Sequence, residues 1–120
     1  MTQVFRDLVE TFGRGWEKGE AETMVSVFTP DAVFLDSPFS GKEVGHAAIR
    51  AYWADVPKNQ SDVSFKPGEI LTAGDWFALE YRCTFRRRRT GEWADVRGAM
   101  FCETKDGKIS EMRMYWHRRA

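Results

Sequence analysis

From residue 76 onward the chain is patterned in twos. Phe77, Leu79, Tyr81, Cys83 and Phe85 alternate with Ala78, Glu80, Arg82, Thr84 and Arg86. Successive side chains of a strand point to opposite faces, so the pattern predicts a half-buried strand over 76–87. Thr90-Gly91 turns the chain into a second strand, Trp93–Thr104. Asp106-Gly107 favours a tight hairpin and leads into a third, Ile109–His117. A further strand is read over Asp62–Ala73, bulged near Pro67-Gly68 because proline cannot donate to a ladder. Long strands with one apolar face need a cover, and the first half of the chain supplies it.

Phe5, Leu8, Val9, Phe12 and Trp16 recur at helical spacing and predict an amphipathic helix over 3–18, stopped by Gly19. Residues 21–28 read as a short second helix burying Met24, Val27 and Phe28, and Thr29-Pro30-Asp31 as a turn. AVFLD, residues 32–36, reads as a strand broken by Pro38, Ser40 and Gly41. Ala47–Val56 reads as a third helix burying Ala48, Ile49, Tyr52 and Trp53, with Pro57 past its end. Helices first and a meander last is an α+β order. The expected architecture is a cone: a strongly curved antiparallel sheet with three N-terminal-half helices on its concave face, enclosing one largely apolar pocket. Residues 1–120 are read as a single domain, since 120 residues leave no room for a second core.

Composition narrows the function. The chain is 42% hydrophobic and 30% charged with formal net charge zero. Neutrality argues against a nucleic-acid partner, which requires a basic footprint. Five Trp, nine Phe and three Tyr suit a pocket lined with rings. No apolar run approaches the ~18 residues that span a bilayer, so no membrane partner is expected. MTQVFRDLVE mixes acidic and basic residues and does not read as a signal peptide. Cys83 and Cys102 make no disulfide framework. They are read as reduced thiols on opposite sheet faces, in a cytoplasmic protein. His46 and His117 are the only histidines, and no HxH, HExxH or Cys/His spacing points to a metal. No Gly-rich phosphate loop follows a strand, and no cofactor is expected. Arg86-Arg87-Arg88-Arg89 reads as a solvated hairpin tip, because no aromatic residues interleave with it.

The stretch VFTPDAVFLDSPFSGKEVGHAAIRAYW, with VRGAMFCETKDGKISEMRMYW near the other end, resembles the nuclear transport factor two-like superfamily. The SnoaL-like and ketosteroid-isomerase-like branches, of cystatin-like fold, are the most similar. The resemblance runs over essentially the whole chain and implies fold more firmly than activity, since this fold hosts isomerases, cyclases, epoxide hydrolases, dehydratases and binding proteins. It puts Asp36 on the isomerases' general base. It puts Arg97, Ala99, Phe101, Met112, Met114 and Trp116 on the pocket face. The enolate-stabilising pair of the isomerases, a Tyr and a protonated Asp, is replaced by Phe12 and Ala99, and a supporting Tyr by Trp53. Steroid isomerisation as such is therefore not expected. Two registers compete on strand 76–87. One points Glu80 and Arg82 inward; the alternation points Tyr81, Cys83 and Phe85 inward and is followed here, because charges are costly to bury. In that register Tyr81 and Cys83 replace the Arg and Asp of the epoxide-hydrolase branch, and that chemistry is disfavoured too.

Asp36 shares strand parity with Phe34 and points inward with it. An apolar pocket disfavours the charged form of a carboxylate and makes a usable base near neutral pH. The competing reading is a turn cap or an ion pair with Arg97. Arg97 is read either as holder of a substrate anion or as a structural partner of Asp36 or Asp95. Tyr81 offers a hydroxyl donor or a plain core ring. Phe12, Trp16, Phe34, Trp53, Ala99, Phe101, Met112, Met114 and Trp116 complete the expected lining. The leading expectation is a SnoaL-like enzyme performing isomerase, cyclase or hydratase/lyase chemistry on a small apolar carbonyl compound. The alternatives are a non-catalytic binding protein for an apolar ligand and a dimeric interaction module. A homodimer is expected through an outer sheet face carrying Glu80, Arg82, Met100, Cys102, Glu111, Arg113 and Tyr115.

Overall fold

The amphipathic N-terminal pattern forms α1, Thr2–Lys18, whose buried side carries Phe5, Leu8, Val9, Phe12 and Trp16. The structure is a computed structural model and describes residues 2–119. A short α2, Ala21–Val25, follows Gly19, whose φ of 66° lets the chain reverse. Gly15 permits the close packing of the two helices: a Cβ there would lie 3.0 Å from the Met24 backbone nitrogen. β1 spans Phe28–Leu35 and β2 is Glu43–Val44. α3, Gly45–Asp55, ends in a single 3₁₀ turn, Val56–Lys58. Five strands complete the chain: β3 Gln60–Pro67, β4 Leu71–Ala73, β5 Trp76–Arg87, β6 Trp93–Lys105 and β7 Lys108–Arg118.

The sheet order is β2-β1-β7-β6-β5-β3, with β4 also paired to β5. It is strongly curved and does not close on itself. β1 runs parallel to β7, so the sheet is mixed and not antiparallel throughout. No hairpin joins these two strands, and nothing local forces them to oppose. Thr29-Pro30-Asp31 is not a turn before β1. It is an irregularity inside it, between the Phe28↔Ile109 and Val33↔Glu111 pairs. The second helix is correspondingly shorter than the apolar spacing suggests. The single strand expected over 62–73 is two, parted after Pro67, while Gly68 N–H still reaches the Glu80 carbonyl at 2.8 Å.

One extra residue decides which side chains of the last hairpin face inward. Asp106 and Gly107 both have positive φ, and the tight turn pairs Lys105↔Lys108 and Thr104↔Ile109. The next pair is Glu103↔Glu111, so Ser110 is a bulge. Without it Phe101 would sit opposite Met112, and Arg97 opposite Trp116. With it Cys102 opposes Met112, Met100 opposes Met114, and Gly98 opposes Trp116. The expected inward placement of Arg97, Ala99 and Phe101 is therefore overturned: they share the outer face with Glu80, Arg82, Glu111, Arg113, Tyr115 and His117. Met100 and Cys102, expected outside, are in the core. Cys83 and Cys102 consequently lie on the same face. Cys83 is opposite Val96 and Cys102 is opposite Phe77, six residues away along β5, or roughly 20 Å. Both are buried free thiols.

The core lies between the helices and the inner face of β5, β6 and β7. Among the described residues no helix is long and apolar enough to cross a membrane. β6 and β7 leave no room for a side chain at Gly98, where an added Cβ would stand 2.2 Å from the Tyr115 carbonyl oxygen and 2.7 Å from Trp116 Cβ. Backbone cannot yield as a flexible side chain does. Gly98→Ala is expected to lower unfolding free energy by about 1–3 kcal/mol, read from urea denaturation. An unchanged midpoint would show that the two strands separate without cost.

Candidate functional site

Helices that cover only part of a curved sheet leave a cleft where α1 and α3 end. It has a volume of about 560 Å³. Trp16 near the end of α1 and Tyr52, Trp53 and Val56 at the end of α3 form one wall. Tyr81, Phe85, Val96, Met114 and Trp116 from the inner sheet face form the other. Asp36, immediately after β1, projects into it, as its parity with Phe34 requires. The Trp116 indole N–H donates to the Asp36 main-chain carbonyl at 2.9 Å and fixes that strand end. The Trp16 indole N–H is held by the Gln60 side-chain oxygen at 2.9 Å.

Of the residues expected here, Asp36, Trp16, Trp53, Tyr81, Met114 and Trp116 are brought together around the cleft. Phe12, Phe34 and Met112 are fully buried and do not line it; Phe12 packs edge-on against Trp16, Trp53 and Phe65. Arg97, Ala99 and Phe101 lie on the far side of the sheet. The Asp36–Arg97 pair does not form. Arg97 is 3.6 Å from Asp95 with 63% of its side chain exposed, and Asp95 also holds Arg82 at 3.1 Å. These two guanidiniums hold the Asp95 carboxyl below its usual range.

Sequence reasoning missed Tyr52, Val56, Gln60, Arg87, Val96 and Arg118 as lining residues, whereas Phe85 lies in the cleft as the alternation requires. The strand parity followed for Tyr81 already pointed to Phe85 and Arg87. Arg118 needed only two more residues of β7 beyond Trp116, whereas Tyr52 had been counted as plain core.

Tyr52 faces Asp36. Burial first, then the charge of Asp36 and hydrogen bonding to its carboxylate, raise the Tyr52 phenol well above its ordinary range. Burial first, then Cys83 and Asp36, do the same for Tyr81. Both phenols are protonated donors at neutral pH, as an unshifted phenol also is. The Tyr81 hydroxyl and the Trp53 indole N–H are shut off from solvent without a hydrogen-bond partner among the described residues. Such orphans in a folded protein call for an explanation. Among the described residues no group of three His, Cys, Asp or Glu side chains is arranged to hold a metal.

The orphaned hydroxyl gives a test. Its desolvation is uncompensated in the free protein, so Tyr81→Phe is expected to leave stability unchanged or raise it by up to about 1 kcal/mol. A melt showing clear destabilisation would mean that the hydroxyl has a partner after all.

A family model described as SnoaL-like domain matches residues 9–112. No curated protein matches the chain in sequence. Among solved structures, SalBIII, an epoxide hydrolase/cyclase-like enzyme in pyran ring formation of the polyether salinomycin, is 21% identical. That match covers 97% of this chain and 92% of SalBIII, with a TM-score of 0.83. A protein with a ketosteroid isomerase-like fold from Catenulispora acidiphila, solved with trimethylamine, is 17% identical, over 90% of this chain and 83% of its own, with a TM-score of 0.83. An NTF2-like protein from Anabaena variabilis is 19% identical, over 97% of this chain and 88% of its own, with a TM-score of 0.84. At such identities the likeness is one of fold.

Proposed function

The chain belongs to the SnoaL-like domain family, and from that premise we propose that it is a small-molecule enzyme that moves a proton beside a carbonyl group. One observation carries the reading: a carboxylate without an ion-pair partner among the described residues stands in a ring-lined cleft next to partnerless buried donors. Asp36 takes the proton from the carbon beside the carbonyl, leaving an enolate and a neutral carboxyl group. Tyr52, on the same wall, donates to the developing enolate oxygen, and Tyr81 or Trp53 completes the donor set when the ligand displaces the packing over them. The proton then returns to another carbon in an isomerisation. In a cyclisation the enolate carbon instead closes a ring on a second carbonyl of the same molecule, whose π bond breaks and whose oxygen takes the proton from Asp36; in a lyase reaction the enolate re-forms the carbonyl as the bond to a leaving group on the next carbon breaks, and that group takes the proton.

A second reading, a non-catalytic binding protein, draws support from one feature: neither the Tyr81 hydroxyl nor the Trp53 N–H touches solvent in this form. The two readings separate on 2-tetralone, a neutral bicyclic ketone, incubated with the protein in D₂O. Protein-dependent deuterium uptake beside the carbonyl, lost in Asp36→Asn, supports the enzyme. Saturable binding without exchange above the buffer rate supports the binding protein.

A further inference from the structure

Two arginines that no carboxylate neutralises among the described residues line one end of the cleft. Arg87 ends β5 and Arg118 ends β7, and both line the cavity beside Phe85, Val96 and Gln60. Other arginines of the sheet are paired. Arg82 and Arg97 share Asp95, Arg86 lies 4.0 Å from Asp62, and Arg113 is paired with Glu111. Within the run 86–89, Arg86 donates to the Gly91 carbonyl at 2.7 Å and Arg88 to the Pro57 carbonyl at 2.6 Å. Arg87 instead follows the parity of Tyr81 and Phe85 into the cleft. Among the described residues neither Arg87 nor Arg118 has an ion pair or a side-chain hydrogen bond. Both also border an adjoining groove of about 300 Å³ with Arg119, Glu92 and Asp95. Asp95 is already held by two arginines, and Glu92 pairs with no cation among the described residues.

We propose that this end of the cleft is an anion subsite: the ligand is an apolar, ring-bearing molecule carrying a carboxylate, which Arg87 and Arg118 hold at the rim. A guanidinium fork matches a carboxylate, and Arg87, half-buried, and Arg118, exposed at the rim, both present one to the cleft. The geometry also orients the ligand. Asp36 repels an anion beside it, and Trp116 ties the Asp36 backbone into place. Arg118 lies two residues beyond Trp116 on the same face, roughly 7 Å along the strand. The charge therefore sits at the arginine end, the rings lie on Phe85, Val96 and Met114, and the other end reaches Asp36. The last placement rests on the proton-transfer reading; the subsite itself does not.

The test titrates 2-naphthoate and its neutral counterpart 2-naphthamide into the full chain, following tryptophan fluorescence and calorimetric heat. Naphthoate is expected to bind at least about tenfold tighter at low salt, the scale of one charge-assisted contact. Arg87→Gln and Arg118→Gln each remove most of that preference and leave naphthamide affinity within about twofold, and each variant keeps the wild-type melting temperature. Arg87→Lys, which keeps the charge and loses the fork, falls between. Arg89→Gln, at the exposed turn, changes neither affinity. Asp36→Asn keeps or strengthens naphthoate binding, so a failure of the proton-transfer reading leaves this result standing. Equal affinity for the two ligands, no naphthoate binding, or an Arg89→Gln effect as large as that of Arg87→Gln would overturn the subsite.

Discussion

Asp36→Asn is expected to slow protein-dependent deuterium exchange by about 10²–10⁴-fold, the contribution of a positioned general base. The substitution keeps the shape and removes only the proton acceptor. The Trp116 indole holds the main-chain carbonyl of residue 36, not its side chain, so the strand end stays in place. Among the described residues no cation is paired with Asp36, so no buried counter-charge is orphaned. Stability is accordingly expected to stay within about 0.5 kcal/mol of wild type. The paired readout separates the two roles weighed for this residue. Lost exchange with an unchanged melt identifies a base; a large fall in melting temperature identifies a structural carboxylate.

Phe12→Ala is expected to cost about 3–5 kcal/mol of unfolding free energy, the usual penalty for truncating a fully buried aromatic side chain. Phe12 is 1% exposed, and its ring stands within 6.0 Å, centroid to centroid, of Trp16, Trp53 and Phe65. Those neighbours are held from outside by the sheet and by the Trp16–Gln60 hydrogen bond, so they cannot collapse freely into the hole. Trp16 and Trp53 also line the cleft, and their loosening should weaken ligand binding along with the fold. Urea denaturation measures the first effect. A loss below about 1 kcal/mol would show that the floor of the cleft is soft and refills.

The residues that reveal the fold in the sequence are those with a regular period. The 3.6-residue spacing from Phe5 to Trp16 and the twofold alternation from Phe77 to Phe85 each name a buried face, and the structure buries those faces. Asp106-Gly107 places the last hairpin. The register beyond it was illegible, because nothing in Glu103-Thr104 or Lys108-Ile109-Ser110 marks a bulge. An insertion of one residue in a strand changes no hydrophobic count, yet it moves every later side chain to the other face. That single step carried Arg97, Ala99 and Phe101 out of the expected site. The direction of β1 relative to β7 was illegible for a different reason: the two strands lie far apart along the chain, and no turn between them marks how they pair. Arg87 escaped notice because a run of four arginines reads as one solvated surface, whereas strand parity and backbone acceptors at Gly91 and Pro57 sort its members individually.

The claim that the cleft, and not the outer sheet face, receives the small molecule is tested most directly by NMR on protein labelled at its methionine methyl groups. With 2-tetralone present, intermolecular cross-peaks are predicted to Met114, which lines the cleft. None is predicted to Met24, Met100 or Met112, which are fully buried elsewhere in the core. A saturably bound ligand that gives no cross-peak to Met114 would contradict the account.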